Sequence, residues 1–66
     1  MTKTQATRAI IAAADQGGTI QASEMLALSR LGAVPNDPRL HTTMSVDRAL
    51  AAAGLTNVEI EAALDA

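Results

Sequence analysis

The chain has 66 residues, no cysteine, no aromatic residue and a formal net charge of −2 at pH 7. The lack of cysteine excludes a disulfide framework, and the lack of Phe, Tyr and Trp excludes base stacking on aromatic rings. No apolar run approaches a membrane span, and the start lacks a signal-peptide pattern, so one soluble cytoplasmic domain is expected over residues 1–66.

The first predicted helix covers residues 4–16. Thr2 or Thr4 can cap its start, and the Gly17-Gly18 pair ends it. Ile11 lies off the apolar stripe of this helix and either widens the stripe or is an exposed contact residue. The stripe follows i, i+3, i+4 spacing and consists of Ala6, Ala9, Ile10, Ala13 and Ala14.

The second predicted helix lies within residues 20–31, is regular from residue 23, and ends at Gly32. One face is assigned to the core, and the other apolar residues point elsewhere. A helix that is apolar on more than one side suits the centre of a small bundle. The core face comprises Ala27, Leu28 and Leu31, and the residues off it are Met25 and Leu26.

A connector is predicted over residues 33–39. Val34 precedes Pro35, and a residue in that position is driven away from the helical conformation. Asp37 and Pro38 are residue types preferred at the N-cap and the first position of a helix. A short helical turn is therefore expected over residues 38–41.

The third predicted helix covers residues 45–53, with Thr43 as an alternative start, and the fourth covers residues 57–64. No segment alternates between apolar and polar residues with a period of two, so no strand is predicted. The stripes assigned to the core are Val46, Ala49, Leu50 and Ala53 in the third helix, and Ile60, Ala63 and Leu64 in the fourth, with Val58 on a flank.

The turn between these helices carries the clearest local signals in the chain. Gly54 is the residue type that ends helices in the left-handed conformation. Thr56 and Glu59 form the Thr-x-x-Glu pattern of a capping box, and Leu55 with Ile60 forms a hydrophobic staple. The predicted fold is all-α, a small bundle of three to four short helices with a helix–tight turn–helix corner between Gly54 and Thr56.

This corner resembles the DNA-binding helix-turn-helix family. The positions that carry the resemblance are Leu50, Gly54, Leu55, Thr56, Ile60 and Leu64. The family usually has a small residue where Leu50 stands. The second helix of the motif would face the DNA phosphates with three acidic residues and has no Arg, Lys or Gln to read base edges. A DNA-binding regulator is therefore kept as the alternative function.

Residues 15–24 resemble the second half of an EF-hand calcium loop. The matching positions are Gly18, Ile20 and Glu24. The earlier ligand positions fall on Ala13 and Gly17, which offer no side-chain oxygen, and on Asp15, which does. Because calcium takes six to eight oxygen ligands, no metal site is expected. The loop is either a degenerate EF-hand or a chance match.

No arrangement of residues points to catalysis. His41 is the single histidine, and Ser45 and Asp47 near it are ordinary around a helix start. A nucleophile needs a base and an orienting group in a sheltered cleft, for which a chain of this size has little room. No catalytic residue and no cofactor are expected.

The supply of large apolar side chains is small, because fifteen residues are alanine. Burial of alanine stabilises a fold much less than burial of Leu or Ile. We therefore expect a protein partner or a second copy to cover residues left over after each helix is given one stripe. The candidate partner-binding residues are Ile11, Met25, Leu26, Met44 and Val58, with the acidic Glu59, Glu61 and Asp65 of the fourth helix.

The expected function is that of a non-enzymatic protein–protein interaction module. Such a module would be an adaptor or a small inhibitor that occludes a larger protein, of the kind encoded by bacteria, phages or mobile elements. The acidic fourth helix would meet a basic patch on the partner. The second alternative is a structural subunit that self-associates as a homodimer, and nucleic acid and membrane are not expected as partners.

Overall fold

The computed structural model describes residues 1–65; Ala66, the last residue of the predicted domain, lies outside the described part. The described chain is mostly helical and contains one small two-stranded sheet. The helices are α1 (Lys3–Ala13), α2 (Ala22–Leu31), α3 (Val46–Ala52) and α4 (Asn57–Asp65), the strands are β1 (Thr19–Ile20) and β2 (Met44–Ser45), and a 3-10 turn covers Pro38–Leu40. The prediction of helices is confirmed, and the prediction of no strand is wrong.

Helix α1 begins with a capping box at Thr2, one of its two predicted caps. The Thr2 hydroxyl accepts a hydrogen bond from the Gln5 amide (3.1 Å), and the Gln5 side chain accepts one from the Thr2 amide (2.9 Å). The helix ends at Ala13, three residues earlier than predicted. The reason is Asp15, whose carboxylate accepts hydrogen bonds from the amides of Gly17 (2.8 Å) and Thr19 (3.1 Å). This local turn competes with a continued helix.

The two strands pair antiparallel, with Thr19 opposite Ser45 and Ile20 opposite Met44. The pairing joins the loop after α1 to the loop before α3. Gly18 extends it, because its carbonyl accepts a hydrogen bond from the Val46 amide (2.8 Å). Ile20 and Met44 are both buried, so this small sheet forms part of the core.

The corner between α3 and α4 is built as the sequence predicts. Gly54 has a φ of 77°, in the left-handed region. The Leu55 amide donates back to the Leu50 carbonyl (3.2 Å), which closes the end of α3. Thr56 and Glu59 form the capping box, since the Glu59 amide donates to the Thr56 hydroxyl (3.2 Å) and the Thr56 amide donates to the Glu59 carboxylate (3.2 Å).

The core lies between α1, α3, α4 and the sheet, and α2 packs against α1 along one face. Its buried apolar residues are Ala6, Ile10, Ile20, Met25, Leu28, Ala33, Val34, Met44, Ala49, Leu50 and Ala63. The stripes predicted for α1 and α3 are confirmed, with the residues that are not fully buried packed against the core. No helix within residues 1–65 is long and apolar enough to cross a membrane.

Helix α2 is rotated relative to the prediction. Met25 and Leu28 are buried, whereas Ala27 and Leu31 are exposed. The sequence did not decide between the two faces because both are apolar. Leu64 of α4 is also misplaced by the prediction: it is 60% exposed, while its neighbour Ala63 is buried.

Candidate interaction surface on helix α4

The structure divides the eight predicted partner-binding residues into three groups. Met25 (0% exposed) and Met44 (5% exposed) are core residues, so the expectation that they contribute to a surface is wrong. Ile11 on α1 and Leu26 on α2 are half-buried. The other four, Val58, Glu59, Glu61 and Asp65, all lie on α4.

One side of α4 points away from the core. Val58 is 76% exposed, the largest exposed fraction among the exposed large apolar residues, and Leu64 is 60% exposed. Residues three, four and seven positions apart lie on one side of a helix. We call this surface the α4 face; its exposed residues are Val58, Glu61, Ala62 and Asp65, with Leu64 at its margin.

Glu59 is engaged within the fold rather than displayed on the α4 face. Its carboxylate lies 2.8 Å from the Lys3 ammonium and accepts a hydrogen bond from the Thr56 hydroxyl (3.0 Å). The hydrogen bond from Lys3, followed by those from Thr56, lowers the pKa of Glu59. A partner that used this carboxylate would have to compete with the start of α1. Glu59 is therefore not a candidate contact residue.

Glu61 and Asp65 occupy positions that disfavour two negative charges. They are one turn apart on α4, where like charges repel. They also lie towards the carboxyl end of the helix, whose dipole favours cations, and the last turn of α4 holds no basic residue. Within residues 1–65 neither carboxylate has an ion pair. A cation supplied from outside the chain would relieve both effects.

Asp15, one of two acidic residues in the loop that resembles part of an EF-hand, has a role within the fold. The Asp15 carboxylate binds the backbone amides of Gly17 and Thr19, and so holds the loop in the shape that lets β1 pair with β2. Residues 1–65 contain no group of three His, Cys, Asp or Glu side chains placed to hold a metal ion.

A polar contact that sequence reasoning missed joins the end of α2 to the connector. The Nε2 atom of His41 lies 3.3 Å from the Ser29 hydroxyl, which donates to the Asn36 side chain (3.4 Å). Ser45 and Asp47, the neighbours of His41 in sequence, are exposed and are not part of this contact. Residues 1–65 form no pocket beside it, and the contact fastens the connector to α2.

Comparison of the chain with known protein families, with curated proteins and with solved structures gave no match. The geometry of the α4 face therefore carries the functional argument.

Proposed function

We propose that this chain is a non-enzymatic protein–protein interaction module that binds a larger protein through the α4 face. It acts as an adaptor or as a small inhibitor that occludes the partner's surface. The observation that carries the proposal is the exposure of Val58 and Leu64 beside two carboxylates, those of Glu61 and Asp65, that have no ion pair within residues 1–65. A partner with an apolar surface and a basic patch would cover Val58 and Leu64 and neutralise the two carboxylates.

The same surface argues against DNA as the ligand. If the corner bound DNA as a helix-turn-helix does, α4 would enter the DNA groove with Glu61 and Asp65 towards the phosphates, where their negative charge opposes binding. DNA binding remains the alternative function, and it predicts a complex that salt weakens and nuclease destroys.

The test compares charge reversals at two sites. Glu61→Lys alters the α4 face, and Asp47→Lys makes the same charge change at an exposed position on α3. Tagged wild type and both variants would be used to capture proteins from a nuclease-treated lysate of the host. We expect one protein partner to bind wild type and Asp47→Lys and to be lost with Glu61→Lys, as measured by quantitative mass spectrometry.

Two outcomes would contradict the proposal. Equal capture by all three proteins would show that the partner uses another surface. A complex that is found only without nuclease would favour the DNA-binding alternative.

A further inference from the structure

Helix α2 carries a second exposed surface with apolar character. Leu31 is 60% exposed, and Ala27 and Arg30 on the same side are exposed. Glu24 lies one turn before Ala27 on this side of the helix, in the first turn of α2. We call this surface the α2 face; it consists of Glu24, Ala27, Arg30 and Leu31, with the half-buried Leu26 at its margin.

The charges of the α2 face complement those of the α4 face. Arg30 lies in the last turn of α2, and Glu61 and Asp65 lie in the second half of α4. Two such helices placed side by side in parallel would bring Arg30 to the two carboxylates. The same arrangement would bring Glu24 to the end of α4 where Lys3, 72% exposed, pairs with Glu59.

Both faces also carry exposed apolar side chains. Each has an exposed alanine near its middle, Ala27 on α2 and Ala62 on α4, and small residues allow two helices to approach closely. Each also exposes a large apolar side chain, Leu31 at the end of α2 and Val58 at the start of α4, and these two lie at opposite ends of the parallel contact.

We infer that the chain associates with a second copy of itself, the α2 face of one copy against the α4 face of the next. The two faces differ, so the contact is heterologous, and an open assembly leaves one α2 face free at one end and one α4 face free at the other. Helices of ten and nine residues bury less than the ~1,200 Å² of a standard interface, so the association is weak and reversible.

In an assembly this association covers the α4 face of every copy except the one at the end. Copies separate on dilution, and added salt weakens the contact because it screens the exposed charges. Self-association and capture of another protein therefore compete for the α4 face.

Two single variants test the inference by blocking one face each. Ala27→Glu places a negative charge against Glu61 and Asp65, and Ala62→Arg places a bulky cation against Arg30. Both alanines are exposed, so the core is unchanged. The controls are Ala12→Glu on α1 and Ala51→Arg on α3, which make the same changes at exposed alanines elsewhere.

Sedimentation velocity would follow each protein over a range of concentrations, with circular dichroism to show that every variant is helical. We expect wild type and both controls to associate as concentration rises, and each face variant to associate at least about tenfold more weakly. An equal mixture of Ala27→Glu and Ala62→Arg should recover association, because the intact α4 face of the first meets the intact α2 face of the second.

Each other result overturns the inference. Wild type that stays monomeric at millimolar concentration would show that the faces do not bind each other. A mixture that associates no more strongly than either variant alone would place the contact elsewhere. Controls that lose as much association as the face variants would do the same. Ala27→Glu leaves the α4 face intact, so capture of a partner by this variant tests the proposed function independently.

Discussion

At the scale of single residues, Glu59 joins two helices through one carboxylate. It caps α4 through Thr56 and pairs with Lys3 at the start of α1. The contact with Thr56 fixes where α4 begins, and the contact with Lys3 fixes which part of α1 lies beside it. These contacts stabilise the ionised form of Glu59, so the pKa of its carboxyl is lowered from the ordinary value of a glutamate.

The lowered pKa of Glu59 predicts a specific loss of stability in acid. A carboxyl whose pKa is lower in the folded than in the unfolded state stabilises the fold above the unfolded pKa and loses this effect as pH falls through the folded pKa. Glu59→Gln keeps an oxygen to accept from Thr56 but has no charge to lose. We therefore expect the urea midpoint of wild type to fall more between about pH 7 and about pH 3 than that of Glu59→Gln.

Comparing wild type with Glu59→Gln separates the effect of Glu59 from that of Asp37. The pKa of Asp37 is also lowered, by its hydrogen bonds from Arg39, but Asp37 is present in both proteins. An equal fall of the midpoint in wild type and Glu59→Gln would contradict the stabilising role assigned to the Lys3 contact.

Residue contacts could be predicted from the sequence where they are local. The capping box of α4 spans four residues and follows a known pattern, so Thr56 and Glu59 could be paired in advance. The Lys3 contact joins the two ends of the chain, and no local pattern signals it. Asp15 falls on a ligand position of the calcium-loop resemblance, but aspartate also closes turns by binding nearby backbone amides, here those of Gly17 and Thr19.

At the scale of elements, α2 shows why its orientation was not predictable. Periodicity places apolar residues on a helix but does not choose between two apolar faces. The choice is made by the core, in which Met25 and Leu28 are buried together with residues of α1 and of the sheet, while Leu31 is left exposed. The sheet itself was not predictable, because strands of two residues are too short to show an alternating pattern.

The orientation of α2 predicts a large effect for one truncation and a small effect for another of similar chemistry. Met25→Ala removes a side chain that is 0% exposed and should lower the free energy of unfolding by roughly 2–5 kcal/mol. Leu31→Ala removes one that is 60% exposed and should change it by no more than about 0.5 kcal/mol. Urea denaturation of dilute samples measures both; a larger loss for Leu31→Ala would show that α2 packs through the face predicted from sequence.

At the scale of the whole molecule, elements from before the connector pack mainly against elements from after it. Helix α1 packs more extensively with α3 and α4, which follow the connector, than with α2, which precedes it. The strands repeat this pattern, since β1 belongs to the first half and β2 to the second. Between the halves, Pro35 and Asn36 are exposed.

Because the two halves pack against each other in this way, the peptide bond between Pro35 and Asn36 keeps them close together but does not determine the fold. Peptides of residues 1–35 and 36–66 hold complementary parts of one core, so neither should be stably helical alone. Mixed, they should reconstitute the fold by complementation once their concentrations approach the millimolar range that a short connector provides within one chain. Circular dichroism of the mixture would show more helix than the sum of the two peptides; helix that is merely additive would mean that each half folds by itself or not at all.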